Sequence, residues 1–442
     1  MDSLKNINEK LKELRLINNL LLKDVAKKSK INYTILSRIE NGKRLPTKLQ
    51  IIQLADIYGY CEKELTKLLI CDKIFNEIKN EHLGIDGFRL AQQKIIFNLK
   101  NTDNNKPEKF ELHSRRYIGN KAKLGSWIMK IIDSETTGND TFIDVFSGTG
   151  IIAREAIENY KNVVVNDILH SNYFIYQAVF NHRKWSEKKI LKIAKNYNEL
   201  NYEKIKSNYF SKNFGGKFFE ENLAKIIGYI REDIEFRKDK LNSREYAILL
   251  ASLIYSIDRH ANTVGHFDAY IKKSIKTQPL NFRLIKCLSS PNVKIYREDA
   301  NELVKRLKGD IAYIDPPYNS RQYSRFYHVY ENLVQWKKPK LYGVALKPKP
   351  ENMSQYCTVK AKNAFKNLVE NLNVNYLAVS YNNTYKSKSK SSENKIKYDE
   401  IVQILNSVGE TKIFEKPYKY FNTGKTDFNN HKEFLFLTKK YE

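Results

Sequence analysis

Cysteine is scarce: Cys61, Cys71, Cys287 and Cys357 are the four in 442 residues. None belongs to a Cys-x-x-Cys pair, which excludes a disulfide scaffold, a zinc ribbon and a dithiol redox site. Long hydrophobic runs are also missing, and nothing approaches the roughly 20 apolar residues needed to cross a bilayer. The opening MDSLKNINEKLKELR is too charged for a secretory signal. The expectation is a cytoplasmic, reducing setting without a membrane. Acidic residues are under-represented: 50 Asp and Glu face 77 Lys and Arg, a net charge of +27. That excess points to a polyanionic partner, nucleic acid before an anionic membrane, although Lys, Asn and Ile run high together and account for part of it. What is present is apolar and aromatic. At 41% hydrophobic, with 29 Tyr and 22 Phe, the chain has material for two or three domains, and general disorder is excluded.

Residues 1–70 read as short helices separated by brief turns. Leu4, Ile7, Leu11, Leu14 and Ile17 recur at helical spacing. Further helices are expected over 22–29, over 32–40 (stopped by Asn41-Gly42) and over 47–57, where Leu49, Ile52, Leu54 and Ala55 are apolar and Gly59 closes the helix. The pattern stays helical through 71–99, and the polar, turn-rich NTDNNKP (101–107) marks a boundary. Beyond it, FIDVF (142–146), VVVND (163–167), VKIYRED (293–299), IAYIDPPY (311–318), YLAVSYNN (376–383) and EFLFLTKK (433–440) are short apolar runs alternating with helical segments. This predicts an α/β unit with a mainly parallel sheet covered on both faces. The Lys-, Tyr- and Asn-rich stretch 172–290 is too long for a loop and reads as an inserted helical subdomain. KSKSK (386–390) reads as a low-complexity surface loop. The expected organisation is therefore an N-terminal helical domain over 1–70, a helical linker over 71–111 and an α/β domain over 112–442.

A helix, a turn and a second helix ending in Ile39-Glu40-Asn41-Gly42-Lys43 form the layout of a helix-turn-helix. The segment LKELRLINNLLLKDVAKKSKINYTILSRIENGKRLPTKLQIIQLADIYG closely resembles the phage-repressor (Xre/Cro) DNA-binding family. The resemblance implies that 32–40 is a recognition helix whose Tyr33, Thr34 and Arg38 face the major groove. Lys43 and Arg44 would meet phosphates. It also puts Ala26 at a close helix approach and turns Ile35 and Ile39 to the core. One departure is plain: the family opens its second helix with a Ser or Thr cap followed by Gln, and here Leu21 and Leu22 stand in those places.

In the second domain, Asp144-Val-Phe-Ser-Gly148-Thr-Gly150 ends one expected strand and opens a helix. Glycines there let the backbone turn tightly and approach a ligand at the helix N-terminus. Asp167 ends the next strand, about 20 residues on, placed to bind ribose hydroxyls. The pair suggests an adenosine-containing cofactor without saying which. Asp315-Pro316-Pro317-Tyr318 narrows it. An exocyclic amine on a base is a poor nucleophile because its lone pair is delocalised into the ring. The Asp315 carboxylate and the Pro316 carbonyl could each accept one of its hydrogens, localising the lone pair toward an incoming methyl group. The prolines preorganise these acceptors, and Tyr318 offers a face on which a flipped base can stack.

Residues 115 to about 441 resemble a class-alpha, Dam-like adenine DNA methyltransferase that uses S-adenosylmethionine. RYIGNK (116–121), DVFSGTG, VVVND, YREDA and DPPYNSRQYSRFYHVYENL occur in the class-alpha order. RYIGNK together with NTVGHFDAYIKK (262–273) and YNSRQYS is similar to the type II restriction-modification branch. The resemblance implies a Rossmann-like methyltransferase sheet with 172–290 as target-recognition subdomain. Tyr117 and Lys121 would contact the cofactor, Lys121 through its methionine carboxylate. Asp144, Phe146, Gly148 and Gly150 would form the methionine and adenosine pocket, with Asp167 on the ribose and Asp299 at the adenine. Asp315, Pro316 and Tyr318 would be catalytic, Asp315 also lying against the cofactor. No metal is implied, and His260, Asn262, His266 and Asp268 read as substrate-side or structural.

Other chemistries fit less well. Carbon-5 cytosine methylation needs a Pro-Cys nucleophile, and no cysteine here follows a proline. Exocyclic cytosine methylation more often carries Ser, and glutamine methylation Asn, where Asp315 stands. An RNA base methyltransferase, and a DNA-binding regulator with an inactive methyltransferase half, remain as alternatives. The expected partners are double-stranded DNA, a separately encoded restriction endonuclease and a second copy of the chain paired on DNA. The helical domain is expected to bind an operator for autoregulation or to add DNA affinity.

Overall fold

The structure is a computed structural model. It describes residues 6–92, 109–272, 279–288, 290, 292–383, 393–417 and 431–441. The boundary stretch 101–107, the KSKSK loop and Lys273 lie outside the described residues. Two compact units divide the chain, 1–106 and 107–442.

The first unit contains α1 (Ile7–Ile17), α2 (Leu22–Ser29), α3 (Tyr33–Glu40), α4 (Lys48–Tyr58) and α5 (Glu62–Ile78). Local chemistry sets several of their ends. Asn32 caps α3 by accepting the Thr34 N–H at 2.8 Å, and Thr47 and Gln50 form a reciprocal capping box on α4. Gly59, at φ +60°, closes α4. Ile7, Leu11, Val25, Leu36, Ile39, Leu54 and Leu65 are among the buried core residues. The α4 face differs from the expected one: Leu49 and Ile52 are 64% and 45% exposed, while Ile51, Leu54, Ala55 and Tyr58 are buried. That set is spaced i, i+3, i+4, i+7, a better helical stripe than the one expected. The expected domain end at residue 70 falls inside α5, whose Leu65 and Leu69 complete the core and whose Asp72 accepts the Ile7 N–H at 2.7 Å.

The second unit is built on a seven-stranded sheet of order β3-β2-β1-β4-β5-β7-β6. The strands are β1 (Thr141–Asp144), β2 (Asn162–Asn166), β3 (Val293–Tyr296), β4 (Ile311–Ile314), β5 (Tyr376–Asn382), β6 (Gly409–Pro417) and β7 (Lys432–Lys440). β3 through β5 pair in parallel, and β7 runs antiparallel between β5 and β6. Alternate residues serve opposite cores. Phe142, Val163, Val165 and Tyr313 face one; Ile143, Val164, Ala312 and Ile314 face the other. All four residues of β4 are buried, which explains its continuous apolar run.

Helices α6 (Gly125–Glu135), α7 (Ile151–Asn159) and α8 (His170–Val179) lie on the first face. So do α9 (Glu187–Asn198), α10 (Tyr209–Phe214), α11 (Glu221–Phe236) and α12 (Ser243–Asp258), which fill the inserted stretch. They share one continuous hydrophobic core with the sheet. Arg244 on α12 adds buried ties, donating to the carbonyls of Ala178, Arg183 and Leu288. The second face is covered by α13 (Ala300–Val304), with α14 (Tyr323–Phe326) and α15 (His328–Gln335) following β4 on the first. α16 (Ala361–Asn371) and α17 (Tyr398–Asn406) complete the second face.

Candidate active site

The site forms where strands β1, β2, β3 and β4 end, the carboxyl edge at which open α/β sheets bind ligands. A cleft of about 980 Å³ opens there. Tyr117, Lys121, Phe146, Gly148, Asp167, Asp299, Asp315, Pro316 and Tyr318 all line it, brought together from five separate segments. Two other expected residues do not reach it. Asp144 is 1% exposed, and neither of its carboxylate oxygens has a hydrogen-bond partner. Burial, with Asp315 adding to it, pushes that carboxyl well above the usual range. Gly150 is the N-cap of α7 at φ +77°, and a Cβ there would lie 3.2 Å from both Phe180 and Tyr176. Its requirement for glycine is core packing.

Gly148 is different. It adopts φ +51°, and a Cβ on it would stand 3.4 Å from the Tyr117 ring. Its N–H is donated to Asp167 at 3.1 Å, its carbonyl accepts the Tyr176 hydroxyl at 2.7 Å, and Asp167 also accepts from the Leu169 N–H and Asn172. Asn172 in turn donates to the Tyr117 hydroxyl and accepts from the fully buried Arg115. Tyr117 lies parallel to Tyr327, ring centroids 4.7 Å apart. The Gly turn, the strand-end acid and the Tyr117 wall are thus one hydrogen-bonded assembly. Asp299 caps α13 through the N–H groups of Asn301 and Glu302.

At the opposite wall, Lys121 donates to the Tyr318 hydroxyl at 2.7 Å and lies 3.3 Å from Asp315 and 3.6 Å from Glu433. The Tyr318 hydroxyl donates to Asp315 Oδ1, leaving Oδ2 as the oxygen free to accept from a ligand. Burial works against the Lys121 charge, but Asp315 and Glu433 more than offset it, holding the ammonium above its ordinary pKa. Burial raises the Asp315 carboxyl, opposed by Lys121. Burial also pushes Glu433 up to about 7, with Lys121 opposing and Asp315 reinforcing the shift.

Sequence reasoning missed Glu433, Asn172 and Arg115 as members of the site. Glu433 opens an expected strand, but only the β5–β7 pairing sets it opposite Asn382 and beside Lys121. Of the four polar residues read as substrate-side or structural, His266 stacks on Phe326 at 4.5 Å, Asn262 donates to the Lys217 and Ile271 carbonyls, and Asp268 pairs with Lys347. His260 is partly buried, and burial lowers its pKa. None of the four lines the cleft. On α3, the exposed side chains are Tyr33, Thr34 and Arg38, opposite the buried Leu36 and Ile39, and Lys43 and Arg44 are exposed in the turn that follows. The Leu21 position carries no side-chain cap, and Asp24 accepts the Leu21 N–H instead.

A seven-stranded sheet with one reversed strand next to its edge, a Gly turn after its first strand and an acid-Pro-Pro-Tyr turn after its fourth defines a methyltransferase. The chain belongs to the D12 class N6 adenine-specific DNA methyltransferases, whose family pattern matches residues 117–416, and a helix-turn-helix family matches 11–64. Methyltransferases of this kind generally use S-adenosylmethionine. The chain is 33% identical over 350 residues to the type II methyltransferase M.FokI of Planomicrobium okeanokoites, covering 74% of this chain and 52% of that one. It is 33% identical over 290 residues to the modification methylase StsI of Streptococcus sanguinis, covering 61% and 44%. It is 30% identical over 337 residues to the type II methyltransferase M.CviAII of Paramecium bursaria Chlorella virus 1, covering 73% and 97%. The chain thus spans about half the length of the first two relatives and nearly the whole of the third. Among the described residues no helix is long and apolar enough to cross a membrane.

Proposed function

We propose that the 107–442 unit methylates the exocyclic N6 of adenine at a specific DNA site, as the modification enzyme of a type II restriction-modification system. The observation that carries this reading is the Asp315–Tyr318 turn opening into the same cleft as Gly148, Asp167 and Asp299. The cleft suits S-adenosylmethionine. Tyr117 and Phe146 offer flat apolar walls, Gly148 leaves room beside Tyr117, and acids face where hydroxyls and a cationic group would lie. Tyr117, Lys121, Phe146, Gly148, Asp167 and Asp299 would hold the cofactor, which when bound supplies an electrophilic methyl group on a sulfonium.

The chain's own residues act on the base. Asp315 Oδ2 accepts one amine hydrogen and the Pro316 carbonyl accepts the other, which turns the nitrogen lone pair toward the methyl donor. Tyr318, its hydroxyl held by Asp315 and Lys121, keeps the Asp315 carboxylate in one orientation and presents its ring to a flipped base. The proton released from the alkylated nitrogen has Asp315 as its nearest acceptor. The 11–64 region would bind an operator through Tyr33, Thr34 and Arg38, with Lys43 and Arg44 on phosphates, so that the enzyme controls its own expression. A separately encoded endonuclease and pairing of two copies on DNA belong to the same reading.

Modification-sensitive sequencing of DNA from a methylation-free host tests it. Adenine methylation at one short motif is expected with the wild type and none with Asp315→Ala. Unmodified DNA in both would favour an RNA substrate or a silent regulator.

A further inference from the structure

A second opening, of about 1010 Å³, lies beside the first and shares Ser324 and Asn352 with it. Its rim carries Arg325, Lys337, Lys340 and Lys349. The three lysines are exposed and make no ion pair with any described residue, whereas the neighbouring Lys338 is taken by Glu232 and Lys347 by Asp268. Two acids share the rim. Glu331 is spent on the backbone N–H groups of His170 and Ser171, with burial pushing its carboxyl up to about 7, and Glu351 lies against His170. The balance left facing solvent is positive.

The segment that builds this rim is held in an unusual shape. Of six non-glycine residues with positive φ among the described residues, four fall here: Trp336, Lys338, Leu346 and Asn352. Such conformations persist where the surroundings over-determine them. Tyr342 and Lys347 exchange backbone hydrogen bonds at 2.8 and 2.9 Å to close a small hairpin. Its base is tied down by the Tyr209 hydroxyl on the Pro339 carbonyl at 2.7 Å and by Arg325 on the Pro348 carbonyl. At its tip Val344 is 77% exposed, and Tyr342 beside it 47%. A firmly anchored hairpin that offers an apolar tip and unpaired lysines is built for a surface that is both anionic and partly apolar.

We propose that this second opening docks the phosphate backbone of the DNA strand carrying the target base, with the hairpin tip laid against the groove. The inference rests on the reading of the Asp315 cleft as the adenine site. A base held there brings its own strand's flanking phosphates to the shared Ser324–Asn352 wall. Three exposed lysines without an acid partner on one rim suit a polyanion. The apolar tip suits base edges and sugars.

The test compares full-length wild type with the Lys337→Ala/Lys340→Ala/Lys349→Ala variant, and with Lys340→Glu alone as a lighter change. Binding to a short DNA duplex is measured by fluorescence anisotropy across a salt series. The helix-turn-helix unit is common to all three proteins and cancels in the difference. The slope of log Kd against log salt is expected to fall by about 2 to 3 in the triple variant, from roughly 0.9 per phosphate contact, with Kd raised about tenfold or more at low salt. Lys340→Glu should weaken DNA binding in the same direction with an unchanged melting temperature. Slopes and Kd values equal to the wild type's would overturn the proposal, as would an equal loss on duplex RNA. If the slopes differ but the wild type methylates no adenine, the docking surface stands and the activity reading falls; methylation with coincident slopes means the reverse.

Discussion

Lys121 lies between two carboxylates whose environments differ, and that difference has consequences for pH. Glu433 has a carboxyl raised by burial from its ordinary 4.5 to about 7. Between those values the folded protein keeps a proton that the unfolded chain has lost, so stability falls as pH rises from about 4.5 through about 7. The cost then persists at higher pH, on the order of 3 kcal/mol. Glu433→Gln removes this slope and should make the protein more stable than wild type at pH 8 and closer to it at pH 5. Urea denaturation at the two pH values checks it, and parallel pH profiles would reject the assignment. Lys121 itself is 6% exposed and already engaged by Tyr318, Asp315 and Glu433. If it also meets the cofactor's carboxylate, Lys121→Ala should chiefly raise the cofactor KM. An unchanged KM would show that its work is confined to holding Asp315 and Tyr318.

Among the elements, the turn from β1 into α7 places two glycines under different constraints. Gly150→Ala forces a Cβ against Phe180 and Tyr176 in a left-handed conformation and should cost about 1 to 3 kcal/mol of stability. Chemical denaturation reads this directly. A neutral outcome would mean that both rings can move aside. Helix α5 makes a parallel point in the first unit. Because Asp72 accepts the Ile7 N–H and the last turns of α5 run on to Ile78, a fragment ending at residue 70 should melt well below one ending at 92, measured by circular dichroism. Equal melting temperatures would show that α5 is dispensable beyond its first two turns.

For the whole molecule, the division into units at 106 and 107 sets where the two proposed activities can be separated. A chain lacking residues 1–106 should retain site-specific adenine methylation and lose repression of a reporter driven by its own upstream region. Loss of methylation together with repression would mean that the first unit supplies DNA affinity the second needs. The net charge of +27 predicts strong salt dependence for DNA binding by the full chain.

The two families, the Gly turn and the acid-Pro-Pro-Tyr turn were legible in the sequence because each is a contiguous run whose backbone shape depends on its own residues. Six of the seven strands were legible as short apolar runs. β1, β2, β4 and β5 are buried at nearly every residue, and β7 is buried through its middle. The edge strand β3, where only Val293 is buried, still shows Val, Ile and Tyr in four residues. β6 was not. Gly409–Pro417 is an edge strand with charged residues along it, and such an edge shows no apolar run because solvent and not a second layer covers it. Nor could periodicity show that the inserted helices share the sheet's core. The sequence determined the local turns and the chemistry they carry. Tertiary structure alone decided that Glu433, distant in the chain and carried by a strand inserted in reverse, completes the charge cluster at Lys121 and Asp315. Pairing across a sheet is a long-range choice, made by the summed packing of both faces and not by any segment on its own.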